Sequence, residues 1–338
     1  MRDVKRISII AGAAALGVVL AACESRPPVA SDGGSGGASG ANVILPWAYV
    51  LNDPAPDTTR EPDPDEIVSV PGSALSIRRA EINIERGPPD WNPDGRPPMP
   101  EIVAHGRGEV YACGYCHLPN GQGKPENAGL AGQPLEYLLQ QLEDYRSGTR
   151  TTGEPRMLPP ALMMSIGAAL TEDEARIAAE YFSSLQFRPW IRVVETDEVP
   201  RTRFADWIHQ AIEGGGTEPI GVRIVEMPED PARTKLRDDA SGFIAWVPRG
   251  AIARGAALVT DGPRGAEPCT ICHGVDLRGL GPIPAIAGRS PSYLARQLYD
   301  FQQGNRNGAW SELMDRAVAN LTIADIVDIV AYAASLEP

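Results

Sequence analysis

The sequence predicts a mainly α-helical fold made of two tandem copies of one small module, and three observations carry that prediction. First, the pentad Cys113-Gly114-Tyr115-Cys116-His117 returns as Cys269-Thr270-Ile271-Cys272-His273. Second, Ala131-Gly132-Gln133-Pro134-Leu135-Glu136-Tyr137-Leu138 is answered by Ala287-Gly288-Arg289-Ser290-Pro291-Ser292-Tyr293-Leu294, Arg150 by Arg306, and Leu170-Thr171 by Leu321-Thr322. Third, Leu135, Leu138, Leu139, Leu142 and Tyr145 follow the i, i+3, i+4, i+7 spacing of one helix face. A duplicated helical unit explains all three better than coincidence. The 338 residues leave room for two or three domains, and 35 Gly with 32 Pro point to long irregular connections.

Residues 1–22 open on a basic stretch with Arg2, Lys5 and Arg6. They continue as an uncharged apolar run, short for a bilayer span, which reads as a secretory signal. Leu20-Ala21-Ala22-Cys23 resembles the bacterial lipobox, which implies that Cys23 is lipid-modified and anchors the mature chain on the periplasmic side of a bacterial membrane. Residues 23–41, rich in Gly and Ser, form a flexible tether. Residues 42–99 are an irregular Pro/Gly-rich segment expected to wrap the first helical domain instead of folding alone.

That domain, residues 100–187, is expected to contain a helix over 101–112 in which Gly106 permits a close helix approach. A second helix runs from Pro134 to near Gly148, and a last one opens on a capping box of Thr171 and Glu174. Residues 188–248 form a partly β connector with strands over 191–194, 221–226 and 242–247 and a short helix over 202–212. Gly214-Gly215-Gly216 within it lacks the G-x-G-x-x-G spacing of a nucleotide site and reads as a turn. Residues 249–338 repeat the first domain.

The pentads carry the chemistry. Two thiols separated by two residues on one helical turn can form thioethers with the two vinyl groups of a haem, and the adjacent imidazole then faces the iron. A zinc site built from both Cys pairs would draw its thiolates from separate repeats and leave His117 and His273 unexplained. A thioredoxin-like dithiol would need a strand before the first Cys, where the sequence reads as helix. Two covalently bound haem c groups are therefore expected, on Cys113, Cys116 and His117 and on Cys269, Cys272 and His273.

Each iron then needs a sixth ligand. Of the four His residues, His105 has no counterpart in the second repeat and His209 lies in the connector, so repeated geometry favours neither, and a surface or capping role is expected for both. Met163 stands seven residues before Leu170 as Met314 stands seven before Leu321, each just ahead of the final helix. A thioether reaching the iron from a loop opposite the His makes a His/Met haem and raises its reduction potential relative to His/His. Met157 and Met164 suit core packing. Between Met163 and Met164 the choice stays open.

The tandem C-x-x-C-H repeats, the Leu130-Ala131-Gly132-Gln133 and Ile286-Ala287-Gly288-Arg289 segments and the Met-to-Leu-Thr spacing resemble the dihaem cytochrome c4 group of class I cytochromes c. The likeness covers roughly residues 100–187 and 249–338. It implies two tandem cytochrome c-like helical domains, two His/Met haems packed near each other, periplasmic electron transfer and no substrate chemistry. The family's proline that offers its carbonyl to the proximal His is matched by Pro284 in the second domain, whereas Ala128 holds that place in the first.

A formal charge of −13 excludes nucleic acid as a partner, since nothing neutralises phosphates, and an acidic surface more readily meets a basic patch on another protein. The leading expectation is an electron carrier between redox partner proteins. A fixed cytochrome subunit of a dehydrogenase, using 42–100 and 188–248 as its binding surface, is the alternative. A dihaem peroxidase would need an open or displaceable sixth position, which two matched Met residues argue against.

Overall fold

The computed structural model describes residues 45–54, 62–262 and 265–338. Cys23, the signal and the tether lie outside the described residues. From the N-terminal side, a buried turn of Leu45, Trp47, Ala48, Tyr49 and Val50 comes first, followed by a two-stranded antiparallel pair, β1 (Ile67–Val68) and β2 (Ile77–Arg78). The turn does not pack on the first helical domain as expected. Its side chains enter the apolar core of the second repeat, and the Tyr49 hydroxyl donates to Asp300 Oδ1 at 2.6 Å. The stretch after it has a small core of its own, Val68, Val70, Ile82 and Trp91, against which Leu236 of the connector packs.

The first domain contains α1 (Glu101–Ala104), α2 (Cys113–His117), α3 (Leu135–Arg146), α4 (Leu158–Ala169) and α5 (Glu172–Ser184). The helix expected over 101–112 stops after four residues. Gly106 sits at φ +65°, and the chain folds back through the Arg107–Val110 bridge, so a Cβ at 106 would lie 2.2 Å from the Val110 carbonyl oxygen. Gly106 thus serves a turn, not a helix contact. The α5 capping box forms as its sequence specifies, Thr171 accepting from the Glu174 amide and Glu174 from the Thr171 amide.

The connector holds β3 (Ile191–Thr196), β4 (Glu198–Pro200), β5 (Thr202–Ala205), β6 (Ile208–Ala211), β7 (Thr217–Pro219), β8 (Val225–Pro228), α6 (Pro231–Lys235) and β9 (Phe243–Pro248). β9 is the centre of a three-stranded sheet, parallel to β3 from Ile191 opposite Phe243 and antiparallel to β8. β4 pairs with β7. The helix expected over 202–212 is instead the β5–β6 hairpin. Asp206 and Trp207 both take positive φ, 54° and 64°, the two-residue turn whose twist matches a hairpin. Phe204 O also accepts from Asp53 N of the N-terminal stretch and Phe204 N donates to the Asp53 carboxylate, contacts that an isolated helical pattern does not anticipate. The glycine cluster turns the chain, with Gly214 and Gly216 at positive φ.

The second domain has α7 (Ala251–Asp261), α8 (Cys269–His273), α9 (Pro291–Gln302), α10 (Ser311–Val318) and α11 (Ile323–Ser335), the last again opened by a capping box, Thr322 with Asp325. α7 crosses α11 at Gly255, where an added Cβ would lie 1.9 Å from the Asp328 carbonyl oxygen. The two repeats meet in matched contacts. Arg150 and Arg306 pair as an antiparallel bridge, flanked by Thr151 N to Asn305 O at 2.6 Å and Asn307 N to Thr149 O at 2.7 Å. All described residues belong to one unit, Val43–Pro338.

Candidate functional site

Each pentad occupies a single helical turn, so Cys113, Cys116 and His117 on α2, and Cys269, Cys272 and His273 on α8, are brought together by local geometry alone. Both turns stop at the residue after the His, Leu118 at φ +63° and Gly274 at φ +82°, which sends the chain into a loop that returns beneath the imidazole. That loop is built alike in both repeats. The amide of Gly123 donates to His117 O at 3.0 Å and that of Gly279 to His273 O at 2.8 Å. Gly121 O accepts from Leu130 N and Ala131 N as Leu277 O accepts from Ile286 N and Ala287 N. Leu277, fully buried, holds at φ +58° the conformation that Gly121 holds at +72°.

The result is a carbonyl aimed at each imidazole. His117 Nδ1 lies 2.8 Å from Ala128 O and His273 Nδ1 lies 2.9 Å from Pro284 O. Because a carbonyl only accepts, Nδ1 carries the proton and the Nε2 lone pair is left for a metal. Alanine therefore substitutes for proline without loss of the contact, since the acceptor is main chain. Burial holds both imidazoles below their ordinary pKa, in the neutral form that ligates iron. Burial also pushes the Cys113 thiol up to about 12 and raises Cys116 and Cys269. Among the described residues no disulfide joins the four Cys, and no cluster of three His, Cys, Asp or Glu is suited to hold a metal ion.

The sixth-ligand candidates sit on helices rather than loops, Met163 on α4 and Met314 on α10, and both are half-buried. Met164 is half-buried as well, whereas Met157 is fully buried in the second repeat's core. α4 is held close to α3 at Gly167, where a Cβ would lie 2.6 Å from Tyr145 Cβ. Neither remaining His is placed as a ligand. His105 is exposed, its Nδ1 3.2 Å from Arg86 O. His209 is buried with both nitrogens engaged, Nε2 donating to Trp47 O at 2.9 Å and Nδ1 accepting from the Thr202 hydroxyl at 3.1 Å.

A second group of residues, not picked out as functional from the sequence, lies on the seam between the repeats. Arg150 donates to Gln141 Oε1 at 2.7 Å, to Gln297 Oε1 at 2.8 Å and to Tyr293 at 3.1 Å, and Arg306 reaches the same two glutamines. Arg289 donates to the carbonyls of Ala285, Gly129 and Ala131, and Gln133 returns the contact on Ala285 O at 2.9 Å. Gly129 and Ala285 each follow the residue that receives the proximal His. Arg150, Arg289 and Arg306 are buried and none makes an ion pair among the described residues. Burial alone lowers the Arg289 guanidinium to about 10. Buried cations without carboxylates fit a cofactor that brings its own acidic side chains, as haem does with its propionates. The sequence signal was the Arg150/Arg306 match across the repeats, whose meaning depends on the two copies meeting face to face.

The donor set thus fits haem twice over: a thioether pair and a neutral imidazole in each repeat. Comparison with known proteins agrees. The family of cytochrome c matches residues 106–186. Cytochrome c4 of Azotobacter vinelandii is 26% identical over 236 residues, covering 68% of this chain and 87% of that protein. Cytochrome c-554(548) of Halomonas halodenitrificans is 40% identical over 70 residues, 20% of this chain and 84% of that protein. The thiosulfate dehydrogenase electron acceptor of Stutzerimonas stutzeri is 25% identical over 229 residues, 67% of this chain and 79% of that protein. With pentads, proximal carbonyls and helical repeats all accounted for, the chain belongs to the cytochrome c family, as a cytochrome c4-like electron-transfer protein with two covalently bound haem c groups.

Proposed function

We propose that this chain carries single electrons between redox partner proteins on the periplasmic side of a bacterial membrane, tethered there through a lipid on Cys23. One haem is held by Cys113, Cys116 and His117 with Met163 completing the coordination, the other by Cys269, Cys272 and His273 with Met314. The observation that carries the reading is the matched pair of proximal contacts, Nδ1 to Ala128 O and Nδ1 to Pro284 O. A haem iron supplies reversible one-electron chemistry. The protein's part is to hold each imidazole in one tautomer, to exclude water from it, and to keep the two sites at a fixed separation through the Arg150–Arg306 seam.

Redox titration with absorption spectroscopy on the membrane-released protein tests this reading. Two haems by mass, peroxide-dependent staining after denaturing electrophoresis, and the weak far-red band of ferric iron bonded to Met are expected. Met163→Leu and Met314→Leu each remove half of that band while Met164→Leu leaves it. A high-spin spectrum, or ready carbon monoxide binding with peroxide turnover, would overturn the carrier reading in favour of a peroxidase. A second reading is a fixed electron-accepting subunit of a periplasmic dehydrogenase. The likeness to a thiosulfate dehydrogenase electron acceptor favours it, and copurification at stoichiometric ratio would support it against a freely exchanging carrier.

A further inference from the structure

The two proximal carbonyls sit alike, but their peptide groups are held differently. Pro284 O, 2.9 Å from His273 Nδ1, shares its peptide group with the amide of Ala285. That amide donates to Gln133 Oε1 of the first repeat at 3.0 Å, and Gln133 Nε2 donates back to Ala285 O at 2.9 Å. Because a backbone N–H only donates and a carbonyl only accepts, the two contacts together fix which end of the Gln133 side chain faces which. Gln133 is 5% exposed, so bulk water does not compete for the contact.

In the first repeat the matched position is Arg289, and it grips the loop below His117 through donors alone, to Gly129 O at 2.7 Å and Ala131 O at 3.0 Å. A guanidinium has no acceptor to offer. The Gly129 amide, which shares its peptide group with Ala128 O, has no acceptor among the described residues. Arg289 also donates to Ala285 O at 2.7 Å. Its charge therefore lies against both loops and does not distinguish one site from the other.

Hydrogen bonds in series polarise one another. An acceptor on the Ala285 N–H adds electron density to Pro284 O, which then draws more strongly on the proton at His273 Nδ1. An imidazole drawn on in this way is the more basic ligand at Nε2. A more basic ligand favours ferric over ferrous iron and lowers the reduction potential, second-shell hydrogen bonding being one of the levers a protein has on a haem.

We infer that Gln133 is a positioning residue for the haem of the second repeat. From the first repeat it polarises the Pro284–Ala285 peptide group, strengthens the contact of His273 Nδ1 with Pro284 O and holds the potential of that haem below its value without the contact. The proton stays on Nδ1 in both oxidation states. The inference rests on His273 being an iron ligand and needs neither the Met ligands nor the membrane tether.

The test is a redox titration of the haem-loaded full chain in which haem methyl resonances, followed by NMR, report each repeat separately. The Nδ1 proton shifts of His117 and His273 are read in the reduced protein. Gln133→Met removes both polar ends at nearly the same side-chain length. It is expected to raise the potential of the second haem and move the His273 Nδ1 proton upfield, with the first haem and His117 at their wild-type values. Gln133→Glu keeps an acceptor oxygen for the Ala285 amide and is expected to leave the second haem at or below its wild-type potential. In the wild type the Ala285 amide is expected to exchange with solvent more slowly than that of Gly129. An unmoved second haem in Gln133→Met, equal shifts of both haems, a rise in both variants, or wild-type exchange at Ala285 as fast as at Gly129 would overturn the inference. A His273 ring whose resonances carry no shift from the ferric iron would instead overturn its reading as a ligand.

Discussion

Lowering the pH should detach the N-terminal turn from the connector by protonating His209, and the structure sets the size of the effect. The imidazole joins Trp47 O to the Thr202 hydroxyl and is buried at 4% exposure, and desolvation takes its pKa from 6.5 down to about 4. In the unfolded chain the ring binds a proton near its ordinary pKa, whereas in the folded chain it does not until the pH is much lower. Across that window the unfolded state holds more protons, so stability rises with pH. The contribution is fully present above the unfolded value of 6.5 and is lost as the pH falls through the folded value of about 4. A displacement of that size corresponds to about 3 kcal/mol. Glu226 and Asp300, whose burial raises their pKa, act in the opposite sense. The comparison must therefore be between the wild type and His209→Gln, which keeps a donor for Trp47 O. Urea denaturation followed by far-ultraviolet circular dichroism from neutral pH to pH 4 should show a steeper loss in the wild type. Parallel loss in the two proteins would refute the burial of a neutral His209.

Three further outcomes follow from single positions. Gly255→Ala forces a Cβ into the Asp328 carbonyl where α7 crosses α11, and should cost about 1–3 kcal/mol by urea midpoint, or more if the helices cannot part. Tyr49→Phe leaves the buried Asp300 with Gly153 N, at 2.7 Å, in place of two donors, and should cost about 1–3 kcal/mol. It should also raise the Asp300 pKa further, so the deficit grows as the pH rises from acid to neutral, which the same denaturation series reads. Cys23→Ser should release the haem-stained protein from the membrane fraction into the soluble periplasmic fraction, and retention on the membrane would count against the lipid anchor.

The chemistry-bearing residues were legible because their arrangement is local. A Cys pair and a His within five positions share one helical turn whatever the rest of the chain does, and the capping boxes of Thr171 and Thr322 close over three residues. Register between the repeats was enough to find Ala128 opposite Pro284, because the acceptor is a backbone carbonyl that any residue supplies. The expectations that failed were the ones that local pattern could not arbitrate. The helix over 101–112 yielded to the backbone freedom of Gly106. The helix over 202–212 yielded to strand pairing and to the contact of Phe204 with Asp53, a partner distant in sequence.

From sequence alone come the helical class, the duplication, the two pentads and the paired Met candidates, since each depends on spacing within one segment or on likeness between two. Tertiary structure alone placed the N-terminal turn in the second repeat, assembled Arg150, Arg289 and Arg306 on the seam, and laid the connector over the first pentad through Arg237 on Tyr115. Those outcomes are sums over contacts between residues far apart in the chain. Burial and charge compensation are properties of the assembled surface, not of any stretch that forms it.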